Sequence, residues 1–289
     1  MWKENKVNKK KKLKKEKEKD MVIVIKFPGL GLELNINKVF LSFGNVSIYW
    51  YGFLIVFAFL VGLLLLRKLA KESNFNFENI LELFILIVPV SIICARLYYI
   101  LFNLDYYLSD ISRMFSITTG GLAIYGGIIG GVIVSFIYTK IKKINFIKLL
   151  DMLVIVLPLG QAIGWWGIFF NVEAYGSVTN SFLRMGIFEN GNYIEVHPTF
   201  LYESLICLTI FGILYFTRNK KKFVGENVCI YFLLYGISRT FIEGLRTDSL
   251  MIGTLKVSQI NSILLVIISS IVIIYNKKRS KKEENKNVK

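Results

Sequence analysis

One histidine, His197, and three cysteines, Cys94, Cys207 and Cys229, are all the histidine and cysteine in this 289-residue sequence. They are scattered, without the paired spacing that zinc requires, so neither a structural nor a catalytic zinc site is expected. All three cysteines fall inside long apolar runs, where a thiol packs as a small hydrophobic group, and no disulfide is expected. Charge is also scarce, at 19% of residues against 54% hydrophobic, with a mean hydropathy of +0.53. That balance excludes an ordinary soluble domain. Tandem and inverted repeats are missing too, which argues against a secondary transporter.

What the sequence does have is long apolar runs. Stretches of about 20 residues with almost no charge read as membrane-spanning helices. They fall near 46–66, 80–102, 120–139, 149–170, 198–217, 223–243 and 257–275. The fold class is therefore an all-α membrane protein of seven transmembrane helices. Lysine and arginine alternate between rich and poor connections: three in 67–79, one in 103–119, four in 140–148, one in 171–197, four in 218–222. This positive-inside pattern puts the N-terminus out and the C-terminus in. The formal charge of +16 is thereby read as an orientation signal and lipid contact, not as a nucleic-acid surface.

Three segments follow for the domain organisation. Residues 1–20 hold ten lysines and four acids, a solvated extension consistent with a start-site error if translation begins at Met21. Residues 21–275 form the seven-helix domain, whose loops 103–119 and 171–197 are expected to build a small outward-facing head. Residues 276–289 are a basic cytoplasmic tail. The apolar stretch after Met21 is broken by Lys26, Pro28 and Gly29, so it is not a signal peptide.

Polar groups inside apolar helices are costly and mark candidate sites. The first span opens with Trp50-Tyr51-Gly52, readable as an interfacial anchor or as part of a site. Arg96, in ARLYY, either snorkels to the surface or faces inward. The third span begins GGLAIYGGIIGG, where the glycines admit a neighbouring helix or a ligand and Tyr125 offers a hydroxyl. The fourth reads GQAIGWWGIFFNVEAYG and carries Gln161, Asn171, Glu173 and Gly176. A carboxylate such as Glu173 must find a cation or take up a proton. The fifth opens VHPTFLYES, with His197 at the boundary and Glu203 more than a turn inside. The sixth ends YGISRTFIEGLRTD, where Tyr235, Arg239, Glu243 and Arg246 recur on one face. Two arginines there make an anion-site candidate.

In this order, WYG, ARLYY, GGLAIYGG, GQAIG…FFNVEAYG, HPTFLYE and YGISRTFIEGLRTD resemble the phosphatidylglycerol–prolipoprotein diacylglyceryl transferase family, from about residue 40 to 275. The resemblance implies a multi-pass enzyme of the bacterial plasma membrane that needs no metal or cofactor. It would move the diacylglyceryl group of phosphatidylglycerol to the lipobox cysteine thiol of a preprolipoprotein, the first step of lipoprotein maturation, with glycerol 1-phosphate leaving. Matched residue by residue, it assigns catalytic roles to Arg239, Glu243 and Tyr125. Tyr51, Arg96, Asn171, Glu173, Gly176, His197, Glu203, Tyr235 and Arg246 fall at substrate-binding positions, and Tyr202 at a motif position.

One segment departs from the family pattern. Where the fourth-span signature has a headgroup-binding arginine and, three residues on, an asparagine, this sequence has Trp165 and Ile168. Of the stripe 161, 165, 168 and 172, only Gln161 is polar. A tryptophan offers one N–H and no charge. The alternative reading is therefore a weak or inactive relative that binds phospholipid or lipoprotein signal segments.

Overall fold

The computed structural model describes residues 22–44, 46–108, 113–114 and 121–287, with side chains through Arg279. The lysine-rich stretch 1–20 and much of the loop 103–119 lie outside the described residues. Among the described residues, seven helices are long and apolar enough to cross a membrane. They are α1 (Trp50–Glu72), α2 (Phe77–Leu101), α3 (Ile124–Ile141), α4 (Phe146–Asn171), α5 (Thr199–Thr217), α6 (Glu226–Leu245) and α7 (Val257–Asn287). The protein is a multi-pass membrane protein, as its apolar runs require. Two compact units are distinguished: the described residues through Leu65 together with those from Leu153 onward, and Leu66–Met152.

The first unit carries the head. Four antiparallel strands, β1 (Val22–Phe27), β2 (Leu32–Asn37), β5 (Met185–Glu189) and β6 (Asn192–Val196), form one sheet in the order β2-β1-β5-β6. The head thus draws half its strands from the segment before the first span, not only from the loop 171–197. Period-two alternation turns Ile25 and Phe27 inward. With Ile36, Met185, Ile187 and Val196 they pack on Phe169 near the end of α4 and Phe200 at the start of α5. The opposite face is charged, with Lys26 and Glu33 paired at 2.8 Å. The sheet therefore sits on the ends of two spans and fixes where they stop.

A second hairpin, β3 (Val39–Phe43) and β4 (Val46–Tyr49), leads directly into α1. Its pairs Leu41↔Ile48 and Phe43↔Val46 put four exposed apolar side chains on one face. The intervening pair, Ser42 and Ser47, points the other way, with their hydroxyls 3.2 Å apart. The apolar run expected to cross from residue 46 thus spends its first four residues in a strand. A short hairpin of β7 (Met251–Ile252) and β8 (Leu255–Lys256) joins α6 to α7.

In the second unit the glycines of α3 allow close approach to α2. A Cβ at Gly130 would lie 2.7 Å from Cβ and Sγ of Cys94, too close for any side chain. Of the two reasons the sequence offered for this glycine, helix packing is the one observed.

Candidate active site

Three charged side chains meet inside the first unit. Arg239, on α6, donates from Nη1 to Oε1 of Glu203 on α5. Its Nη2 lies 2.6 Å from Oε2 of Glu243 one turn further along, an ion pair without hydrogen-bond alignment. Both glutamates are almost wholly buried, Glu203 at 0% and Glu243 at 2% exposure. Oε2 of Glu203 has no hydrogen-bond partner among the described residues. Charges at this depth persist because they neutralise one another. One guanidinium against two carboxylates leaves the trio with a surplus of negative charge if both are ionised. A polar chain continues inward: Tyr235 stacks on Tyr231 at 5.5 Å, and the Tyr231 hydroxyl donates to Gln161 Oε1 at 3.0 Å. Gln161, the last polar member of its stripe, is therefore satisfied within the protein.

Arg246 stands where α6 ends. Nε and Nη2 make a two-point contact with Asp248, at 2.9 and 2.7 Å. That hydrogen-bonded pairing holds the Asp248 carboxyl below its ordinary value, against the opposing effect of burial. Lys256, in β8, donates from Nζ to the carbonyls of Glu243 (2.7 Å) and Arg246 (2.6 Å), satisfying the open end of the helix. Trp165 joins the two arginines: the Cζ atoms of Arg239 and Arg246 each lie 5.9 Å from its ring. Its other contacts are with the head core. A neutral aromatic ring attracts both guanidinium groups, where a third cation would repel them.

Next to these charges, α4 comes to a strained end. Val172 N bonds to Phe169 O and Glu173 N to Ile168 O, a helix stop that calls for a left-handed residue at position 172. Glycine is usual there, but valine occupies it at φ 55°, and Ala174 follows at φ 54°. The strain brackets Glu173 and is held by surrounding bonds. Gly176 N bonds to His197 O, Ser177 N to Leu245 O, and Gly176 bridges to Arg246. His197 Nδ1 lies 3.3 Å from the Tyr202 hydroxyl.

The loop closes one side of an open hollow of about 590 Å³, lined by Lys38, Ile48, Tyr49, Tyr51, Gly52, Asn171 and Glu173. Gly167 makes room for Tyr51: a Cβ there would come within 2.9 Å of Tyr51 Cδ2 and 3.2 Å of its Cα. Glu173 makes no ion pair among the described residues, and its exposure to the hollow resolves the question its sequence position raised.

The remaining two sequence candidates lie in the second unit. Arg96 does not snorkel. It is 5% exposed and donates to the carbonyls of Arg113 (2.7 Å), Gly121 (3.0 Å) and Met114 (3.1 Å), with Tyr107 beneath its guanidinium at 5.1 Å. It ties down the connection between α2 and α3. Tyr125 is half-exposed in the first turn of α3.

The family model for prolipoprotein diacylglyceryl transferase matches residues 38–275. A phosphatidylglycerol–prolipoprotein diacylglyceryl transferase of Clostridioides difficile is 45% identical over 79% of this chain and 91% of its own length. Its counterpart in Finegoldia magna is 46% identical over 80% and 92%, and that of Thermotoga maritima 43% identical over 81% and 82%. The chain belongs to the prolipoprotein diacylglyceryl transferase family.

Within that family frame, sequence reading missed Lys38, Ile48 and Tyr49 around the hollow, and Asp248 and Lys256 around Arg246. Asp248 carried a signal, two residues after Arg246 in LRTD. Lys38 carried none, since a lone lysine before a strand reads as surface.

Proposed function

We propose that this protein transfers the diacylglyceryl group of phosphatidylglycerol to the lipobox cysteine of preprolipoproteins, in the bacterial plasma membrane. The N-terminus and head would face outward and the C-terminus the cytoplasm, in keeping with the lysine and arginine distribution. The observation that carries the reading is the pair of arginines, Arg239 and Arg246, held over one tryptophan. Family membership supports it further.

The substrate thiol loses its proton, and the thiolate attacks the glycerol carbon that bears the phosphate ester. A C–S bond forms, the C–O bond breaks, and the electron pair leaves on the phosphate oxygen of glycerol 1-phosphate. Negative charge grows on that phosphate, so fixed guanidinium donors in a water-poor site lower the barrier. Arg239 is assigned that role and Glu243 orients it. Glu203, whose Oε2 has no hydrogen-bond partner among the described residues, is assigned to receive the proton. Tyr51, Asn171 and Glu173 are assigned to the headgroup, and Gly176 and His197 to the loop that shapes the site. Tyr235, one turn before Arg239 on the same helix, keeps its assignment as a substrate-binding residue. Arg96 and Tyr125 keep assignments as substrate-binding and catalytic residues, respectively.

Trp165 favours a second reading, a weak or silent family member, because losing one donor to a developing oxyanion typically costs about 100- to 1,000-fold in rate. Expression in a strain depleted of its own transferase, with lipoprotein mobility followed, separates the two. Restored maturation supports the enzyme; no maturation despite confirmed membrane insertion favours the silent relative.

A further inference from the structure

Every described cation at the arginine cluster is already committed. Arg239 is held by two carboxylates, Arg246 by Asp248, and Lys256 by main-chain carbonyls. Lys38 is different. It lines the hollow with Tyr51, Asn171 and Glu173, it is partly buried, and its ammonium makes no hydrogen bond or ion pair among the described residues. Its carbonyl accepts from Trp50 N at 3.0 Å.

The wall beside Lys38 indicates what fits. Ile48 and Tyr49 belong to β4, and Ile48 shares the exposed apolar face of the hairpin with Leu41, Phe43 and Val46. That hairpin runs straight into a membrane span. The hollow therefore places an unengaged ammonium, a hydroxyl, an amide and a carboxylate beside an apolar strip at a membrane boundary. A ligand matching all of these has a phosphate monoanion, a hydroxylated headgroup and acyl chains. An ammonium attracts the phosphate, Tyr51, Asn171 and Glu173 have the donors and acceptors for hydroxyls, and the strip suits the chains.

We infer that Lys38 supplies a further phosphate-binding charge for the glycerol-headed phospholipid, in addition to the guanidinium assigned to Arg239, and is a substrate-binding residue of this protein. The inference rests on the transferase reading for its kinetic arm only. Uniform binding of the ground and transition states by Lys38 would appear in KM more than in kcat.

The test uses the full-length protein in nanodiscs, with Lys38→Gln, the charge-conserving Lys38→Arg, and Lys26→Gln as a head-surface control. Binding of phosphatidylglycerol, diacylglycerol and free glycerol phosphate is measured without turnover, alongside thermal unfolding. Lys38→Gln should weaken phosphatidylglycerol binding about tenfold, with diacylglycerol and the unfolding midpoint unchanged. Lys38→Arg should recover most of the loss and Lys26→Gln should match wild type. In turnover, Lys38→Gln should raise KM by a similar factor with kcat within about twofold. Unchanged phosphatidylglycerol binding in Lys38→Gln, or an equal loss for diacylglycerol, overturns the inference. A tenfold loss seen only for free glycerol phosphate also overturns it, assigning Lys38 to the released product. A wild-type protein that binds phosphatidylglycerol through Lys38 yet transfers nothing defeats the transferase reading and leaves this one standing.

Discussion

The buried trio of Arg239, Glu203 and Glu243 and the open hollow around Lys38 use the same kinds of side chain to opposite ends. At depth, each charge is paired, and the guanidinium is locked between two carboxylates. In the hollow, Lys38 and Glu173 stand in one lining without forming an ion pair. The contrast follows from the cost of charge: where water is excluded, an unpaired ion is unaffordable, and where a hollow opens it can wait for a ligand. The trio is thus the part that must be preorganised, and the hollow the part that must stay available.

The largest effect should come from breaking the preorganised side. Arg239→Ala strands two buried carboxylates and should cost about 3–5 kcal/mol of stability. Transfer should fall at least about 100-fold. Thermal unfolding in detergent and thioether formation read the two losses, and retained activity would show that the trio is only structural. Next, Gly167→Ala attacks the hollow, because the added methyl meets the Tyr51 backbone and ring. Overpacking of this kind costs about 1–3 kcal/mol, and KM for phosphatidylglycerol should rise.

A smaller change should sharpen the comparison at Arg246, midway between the two regimes. Asp248→Asn releases this arginine from its two-point contact and should lower KM several-fold, read in the same assay. Asp248 has a lowered folded value, so its contribution to stability is present above the unfolded value and lost as pH falls through the folded one. Its ordinary value is 3.8, so the contact should persist across pH 5–8 and the effect of the mutation should be flat there.

The smallest effect belongs to the head. The Tyr175 hydroxyl donates to Glu189, and that bond, reinforced by desolvation, pushes its pKa up to about 12. The raised value means that this contribution to stability is complete below the ordinary value of 10 and lost as pH rises through about 12. Tyr175→Phe should cost under about 1 kcal/mol and leave transfer unchanged, as unfolding curves at pH 7 and pH 11 would show.

The spans were legible in the sequence because hydrophobic length is a local property. The edge of α1 was not, since Val46–Tyr49 is apolar enough for a span and alternates well enough for a strand. The head was half legible: 171–197 looked folded, but the pairing Lys26↔Gly186 joins segments 160 residues apart in the chain, beyond any local pattern. Of the site, the helical spacing put Arg239 and Glu243 on one face, where the structure pairs them. The fate of Arg96 did not follow from its position, because main-chain carbonyls of a distant loop hold it. Trp165 read as a missing cation; only the structure shows both arginines against its ring.

The most direct test of the account is transfer by the purified protein from phosphatidylglycerol labelled in its diacylglyceryl group to a lipobox peptide. The account predicts label in a thioether on the cysteine, with one glycerol 1-phosphate released per peptide modified. A folded, lipid-bound protein that leaves the thiol free and releases no glycerol 1-phosphate would contradict it.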